Sequence, residues 1–310
     1  MKNLVNLLGR LLVVLSISFL VVKLVHHFHE IPKFTWGLSA YLSLSGSVIV
    51  CVIIGVIGSY IWSILLRGGG VFITVRQAYI ITGQTQIGKY LPGNVFHYIG
   101  RFALARRQGI PAEAILLSTG VETFLVIATS VAIVTAGLFF SDGVPAWIKE
   151  ALNATSLPVV LTSITLIAAI LLTAAFFLPR LRAQVRSRLA YVQIRRIIIS
   201  MFLYLMVFIF LGIVISLLLT TLWGINTGMH WYQFTWGFTL AWVLGFVTPG
   251  ASGGIGIREL VFVGLYGKEL GEGLAVGLAV VLRVITSIGD LLTFALAYWL
   301  GRQENDVISK

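Results

Sequence analysis

Apolar runs of more than about 20 residues, the length an α-helix needs to cross the hydrocarbon core of a bilayer, recur along this chain. They lie near 4–24, 39–66, 114–140, 157–178, 197–222 and 272–300. Hydrophobic residues make up 58% of the 310 positions and charged ones 11%, which leaves too little polar surface to clothe a water-soluble globule. A soluble enzyme, a nucleic-acid-binding domain and a disulfide scaffold are thereby excluded. The fold class expected is an all-α polytopic membrane protein with six full transmembrane helices. The lone cysteine, Cys51, lies in an apolar run without a partner and reads as a small core residue.

The net charge of +11 speaks of orientation rather than of nucleic acid, because lysine and arginine gather on the cytoplasmic side of membrane spans. Residues 67–107 hold Arg67, Arg76, Lys89, Arg101, Arg106 and Arg107 with no acid, and residues 180–196 hold six arginines with no acid. Both stretches read as cytoplasmic, while 141–156 and 224–233 read as external. Both termini then fall in the cytoplasm, and the expected location is the cell (inner) membrane, multi-pass. Arg10 interrupts the first run and can snorkel to the interface. No small-residue cleavage site follows, so that run reads as a retained helix rather than a signal peptide.

Two further segments are apolar but broken. One, 71–107, breaks at Leu91-Pro92-Gly93-Asn94; the other, 234–268, breaks at Thr248-Pro249-Gly250-Ala251. Neither arm of either segment can cross about 30 Å of hydrocarbon alone at about 1.5 Å per residue. Each is expected to be a re-entrant helical pair hinged at its Pro-Gly, Pro92-Gly93 or Pro249-Gly250, with the freed backbone groups buried in protein or facing a wet cavity.

The two broken segments match each other. Gly88, Pro92, Gly93 and Arg101 stand 157 residues before Gly245, Pro249, Gly250 and Arg258, and the same offset carries the starts of the second and third runs to within a residue of the fifth and sixth. With the charge-based topology, this predicts a 3+3 inverted-topology repeat, residues 1–150 and 151–310, of the kind secondary transporters use around a midplane site.

These same residues carry a resemblance. Gln86 to Arg101 (QIGKYLPGNVFHYIGR) and Gly245 to Leu260 (GFVTPGASGGIGIREL) resemble the two signature stretches of the lysylphosphatidylglycerol synthase transmembrane, or flippase-like, family of integral membrane proteins. The resemblance spans essentially the whole chain. It implies transbilayer movement of lipids or lipid-linked sugars. Family members sometimes carry a soluble aminoacyl-transfer or glycosyltransferase domain; here nine residues follow Gly301, so synthase activity is not expected to carry over.

Charges inside apolar segments are costly, by about 2.5–3.5 kcal/mol each at a helix centre, and are expected to face inward. Lys89, Arg101, Arg258 and Arg283, with Asn94 and His97, are the candidate contacts of an anionic headgroup, aided by the N-terminal ends of the half-helices after the hinges. Glu122, Glu259 and Asp290 are the candidates for proton coupling or for ion pairs, Arg283 with Asp290 or Glu122 and Arg258 with a neighbouring acid. His97, beside Tyr98, could also be an interfacial anchor.

Other motifs fall short. Gly83 to Tyr90 resembles a phosphate-binding loop until Tyr90 replaces the magnesium-binding hydroxyl, and no strand precedes it. His26, His27 and His29 with Glu30 read as a solvated collar rather than a metal site. Gly273 and Gly277 suit close helix packing, and several tryptophans fall at span ends. No metal or cofactor is expected. The function expected is flipping of a lipid with an anionic headgroup, such as a phospholipid or polyprenyl-phosphate-linked sugar, by a non-enzymatic carrier whose partners are that lipid, the membrane and a homo-oligomeric or cell-envelope biosynthetic protein. The alternative is a membrane-embedded transferase or accessory subunit of envelope glycan synthesis, although the acids are scattered for metal-assisted chemistry. A passive channel would need a more polar lining.

Overall fold

The computed structural model describes residues 28–91, 95–140, 194–248 and 251–308, with a few isolated positions before residue 28. The first and fourth apolar runs, and Pro92, Gly93, Asn94, Pro249 and Gly250, lie outside the described residues. Within them the chain is helical, with no strand. Four helices are long and apolar enough to cross a membrane: α1 (Leu38–Gly68), α4 (Ala112–Phe140), α5 (Ile194–Trp223) and α8 (Glu272–Ile308). Four shorter ones lie between them: α2 (Val75–Thr85), α3 (Phe96–Arg107), α6 (Trp231–Val247) and α7 (Ile257–Leu270).

The long helices carry leucine, isoleucine and phenylalanine outward. Leu42, Ile49, Phe202, Phe210, Leu291 and Trp299 are all exposed, an arrangement that suits a lipid solvent and not water. Many of the helices' serines and threonines turn inward and satisfy their hydroxyls locally. Ser47, Ser59, Thr129 and Thr239 donate to the carbonyl four residues earlier at 2.6–2.8 Å. Two such hydroxyls also join helices, Ser59 with Thr82 at 2.6 Å and Ser43 with Thr221 at 2.7 Å.

Both broken segments are seen as breaks. After α2 the helix tightens at Gln86 into a 3-10 turn, Gln86–Tyr90, so the departure begins six residues ahead of Pro92. After α6 a second 3-10 turn, Ser252–Gly254, leads into α7. Gly253, Gly254 and Gly256 have φ of +58°, +74° and +83°, a left-handed path that disfavours any residue with a Cβ.

The order long, short, short, long occurs twice. Helix starts at Leu38, Val75, Phe96 and Ala112 precede those at Ile194, Trp231, Ile257 and Glu272 by 156, 156, 161 and 160 residues. The packing crosses between the two series: α2 packs on α8, α6 packs on α4, α1 packs on α5, and the two 3-10 turns touch each other. One apolar core joins α5, α6, α7 and α8 around Phe234, Trp236, Phe262 and Tyr266; a smaller one joins α1, α2, α3 and α4 around Trp62, Leu66 and Ile81.

Candidate functional site

A cavity of about 280 Å³ opens where the two 3-10 turns meet, walled by the long helices around them. Lys89, His97, Arg101, Arg258 and Arg283 line it, each a residue the sequence singled out as a headgroup contact. Glu122 and Asp290 line it as well. Glu259 stands behind, in a void of about 30 Å³ shared with Arg258 and Arg283. The charged groups arrive from five separate elements: the 86–90 turn, α3, α4, α7 and α8.

Three of the four cations have a carboxylate. Lys89 Nζ lies 2.7 Å from Asp290 Oδ2. Asp290 also accepts from Gln86 Nε2 at 3.0 Å and from the Tyr90 hydroxyl, so one carboxylate on α8 holds three side chains of the first 3-10 turn. Arg101, only 9% exposed, donates through Nη1 to Glu122, and its guanidinium lies 5.4 Å from the Trp62 ring. Arg283 donates through Nη1 to the Gly253 carbonyl at 3.1 Å, lies 3.6 Å from Glu259 Oε1 and sits 5.6 Å over the Tyr90 ring. This arginine therefore ties α8 to both 3-10 turns.

Arg258 is different. Among the described residues it has no carboxylate partner; its guanidinium lies 5.5 Å over the Trp242 ring, and its Nε is buried without a hydrogen-bond acceptor. Arg101 Nε, Arg283 Nη2 and His97 Nδ1 are likewise buried without partners. An unmet buried polar group costs about 1–3 kcal/mol, so the three guanidinium nitrogens among these four mark where a ligand with acceptor oxygens would be favoured.

The pairings differ from those expected, for geometric reasons. Arg283 and Asp290 share a helix face but are seven residues apart, about 10 Å of axial rise, so Arg283 turns instead to Glu259 on α7. Glu122 is taken by Arg101. Glu259 follows Arg258 by one residue, about 100° further round the helix, and faces α8 while Arg258 faces the cavity. Glu259 also accepts from the Gly256 N–H at 2.7 Å. One N–H at the N-terminus of α7 is thus met by a carboxylate of its own chain. His97 lies within α3 and lines the cavity, its ring 3.9 Å from that of Tyr98.

Reasoning from sequence missed Gln86, Tyr90 and Trp242. Tyr90 figured there only as the residue that spoils a phosphate loop, yet it bridges Asp290 and Arg283. The capping role of Glu259 did have a signal, a glutamate three residues after Gly256. Among the described residues no three His, Cys, Asp or Glu side chains gather as a metal ion would require. No family model and no curated protein matches the chain.

Proposed function

We propose that this chain is a multi-pass carrier of a cell membrane that moves a lipid with an anionic headgroup between leaflets. The headgroup enters the cationic cavity while the tails remain in hydrocarbon. The observation that carries this reading is Arg258, a buried cation without a carboxylate partner among the described residues, on the wall of a cavity ringed by buried donors without acceptors. An anionic lipid headgroup supplies both the charge and the oxygens.

The twofold helix order and the cross-packing of α2 on α8 and α6 on α4 support an inverted repeat of residues 1–150 and 151–310, with six spans, two re-entrant pairs hinged at Pro92-Gly93 and Pro249-Gly250, and both termini cytoplasmic. Contact between the two 3-10 turns supports alternating access by rocking of one series against the other. The resemblance of the two Pro-Gly segments to the flippase-like family supports the same reading. No nucleotide site is invoked, and the drive is an ion gradient or the substrate's own.

The test is reconstitution into liposomes containing a headgroup-labelled anionic lipid and a membrane-impermeant quencher. Wild-type protein is expected to expose inner-leaflet label, and Arg258→Ala and Arg258→Gln are expected to fall to the protein-free level while keeping the wild-type melting temperature. Undiminished exposure in both variants refutes the carrier. A new covalent lipid product would favour the transferase, and rapid ion leak a channel.

A further inference from the structure

Accepting that the cavity receives an anionic lipid, the structure leads further, to how much charge the ligand brings. We infer that the ligand completes the ion pair that Arg258 lacks and brings a single negative charge: a phosphodiester headgroup, not a phosphomonoester or a diphosphate.

The first support is the charge count. Around the cavity the described residues place Lys89, Arg101, Arg258 and Arg283 against Glu122, Glu259 and Asp290, and every one of these acids already faces a cation. One positive charge is left over, and it is on Arg258.

The second support is where the missing acid should be. Arg101 and Arg258 correspond at the offset of 157, and Arg101 is paired with Glu122 on α4. The position 157 after Glu122 is Ala279, on α8. It is 4% exposed and lines the same small void as Arg258. At the sequence offset of 157 the arginine recurs, whereas the counterpart of Glu122 is an alanine on the next long helix, so only the first series supplies a carboxylate there. Glu122 is in effect a built-in anion at one of two matching sites. The ligand takes its place at the other.

Charge then sets the class. A phosphodiester carries one charge and leaves the cavity neutral. A phosphomonoester carries about −1.5 to −2 near pH 7 and would leave an excess negative charge in a space where desolvated, unbalanced charge is strongly disfavoured.

The experiment measures binding to the full-length protein in detergent, by native mass spectrometry, using two short-chain lipids that differ by one methyl group: phosphatidylmethanol, a monoanionic diester, and phosphatidate, a monoester. At pH 7.5 the diester is expected to bind at least about tenfold more tightly. Ala279→Glu, which adds a carboxylate to the void that Arg258 shares with Glu259 and Arg283 and so cancels the leftover positive charge, is expected to weaken diester binding by about tenfold or more, and the uncharged isostere Ala279→Gln by less than about threefold. Equal or tighter phosphatidate binding overturns the inference, as does equal loss in the two Ala279 variants. Should Ala279→Glu not fold, Glu122→Gln decides: with two unpaired arginines the preference is expected to move toward phosphatidate, and an unchanged ratio overturns the inference. Water-soluble dimethyl phosphate is expected to compete only weakly with the lipid. Competition as strong as the lipid's overturns the lipid as the source of the diester. Diester preference without headgroup movement in liposomes would sink the carrier and leave the charge assignment standing, whereas movement without diester preference would do the reverse.

Discussion

Removing Glu122 while leaving Arg101 in place should be among the most damaging single changes available in this molecule. Both side chains are nearly enclosed, 11% exposed for Arg101 and 13% for Glu122, so Glu122→Leu strands a guanidinium among Trp62, Tyr98 and apolar side chains. Breaking a buried pair in this way costs about 3–5 kcal/mol. Part of that is recovered because the cation keeps the faces of Trp62 at 5.4 Å and Tyr98 at 5.9 Å, worth about 1 kcal/mol between them at this distance. A loss of about 2–4 kcal/mol is therefore expected. Arg101→Met, which strands the carboxylate without any aromatic compensation, is expected to lose about 3–5 kcal/mol. The double variant removes both desolvated charges and is expected to lie within about 1 kcal/mol of wild type. Equilibrium unfolding in mixed detergent micelles, followed by far-ultraviolet circular dichroism, measures all three. Additive losses, or either single loss below about 1 kcal/mol, would refute the view that these charges are buried together and mutually dependent.

Other changes probe the rest of the site. Asp290→Asn removes the charge that holds Lys89 and weakens the grip on Gln86 and Tyr90, so amide exchange across residues 86–91 is expected to quicken by about tenfold; unchanged protection there would contradict the latch. Gly254→Ala places a Cβ at φ +74° directly against Arg258 Nε and 3.0 Å from its Cδ and is expected to lose at least about 1–2 kcal/mol, together with diester binding. Gly46→Ala on α1, whose new methyl meets nothing within 4 Å, is expected to be neutral or slightly stabilising in the same unfolding assay. Trp242→Leu removes the ring over Arg258 and is expected to lose about 1–2 kcal/mol and to weaken binding, read by the same mass-spectrometric titration.

Much of the helical layout is legible because a span must be long and apolar. The runs beginning near 39, 114, 197 and 272 correspond to helices that start at Leu38, Ala112, Ile194 and Glu272. The breaks are legible because proline and glycine interrupt otherwise apolar stretches, and the basic residues because charge in such stretches has few reasons to be there. The partners of those charges were not legible. Whether Arg283 meets Asp290, Glu122 or Glu259 depends on how α7 and α8 are rotated against each other, which no spacing within one helix determines. The reach of Tyr90 to Asp290 depends on a 3-10 turn beginning at Gln86, where the sequence has neither proline nor an obvious stop. Arg258 shows both sides of this: its type and place could be read from the matching Pro-Gly segments, but that it alone of the four cavity cations lacks an acid among the described residues required knowing which acids the others had taken.

Because α2 lies against α8 and α6 against α4, neither stretch of chain can finish its structure by itself. Gly83 of α2 is so close to α8 that a methyl placed on it would come within 2.6 Å of the Ala297 side chain, and that surface stays uncovered until α8 has been synthesised. During translation α2 must wait, with the groove meant for α8 unfilled, and truncation ahead of α8 would leave it without its mate. A premature stop before residue 272 should therefore yield a molecule that quality-control proteases clear as a whole, not a working half.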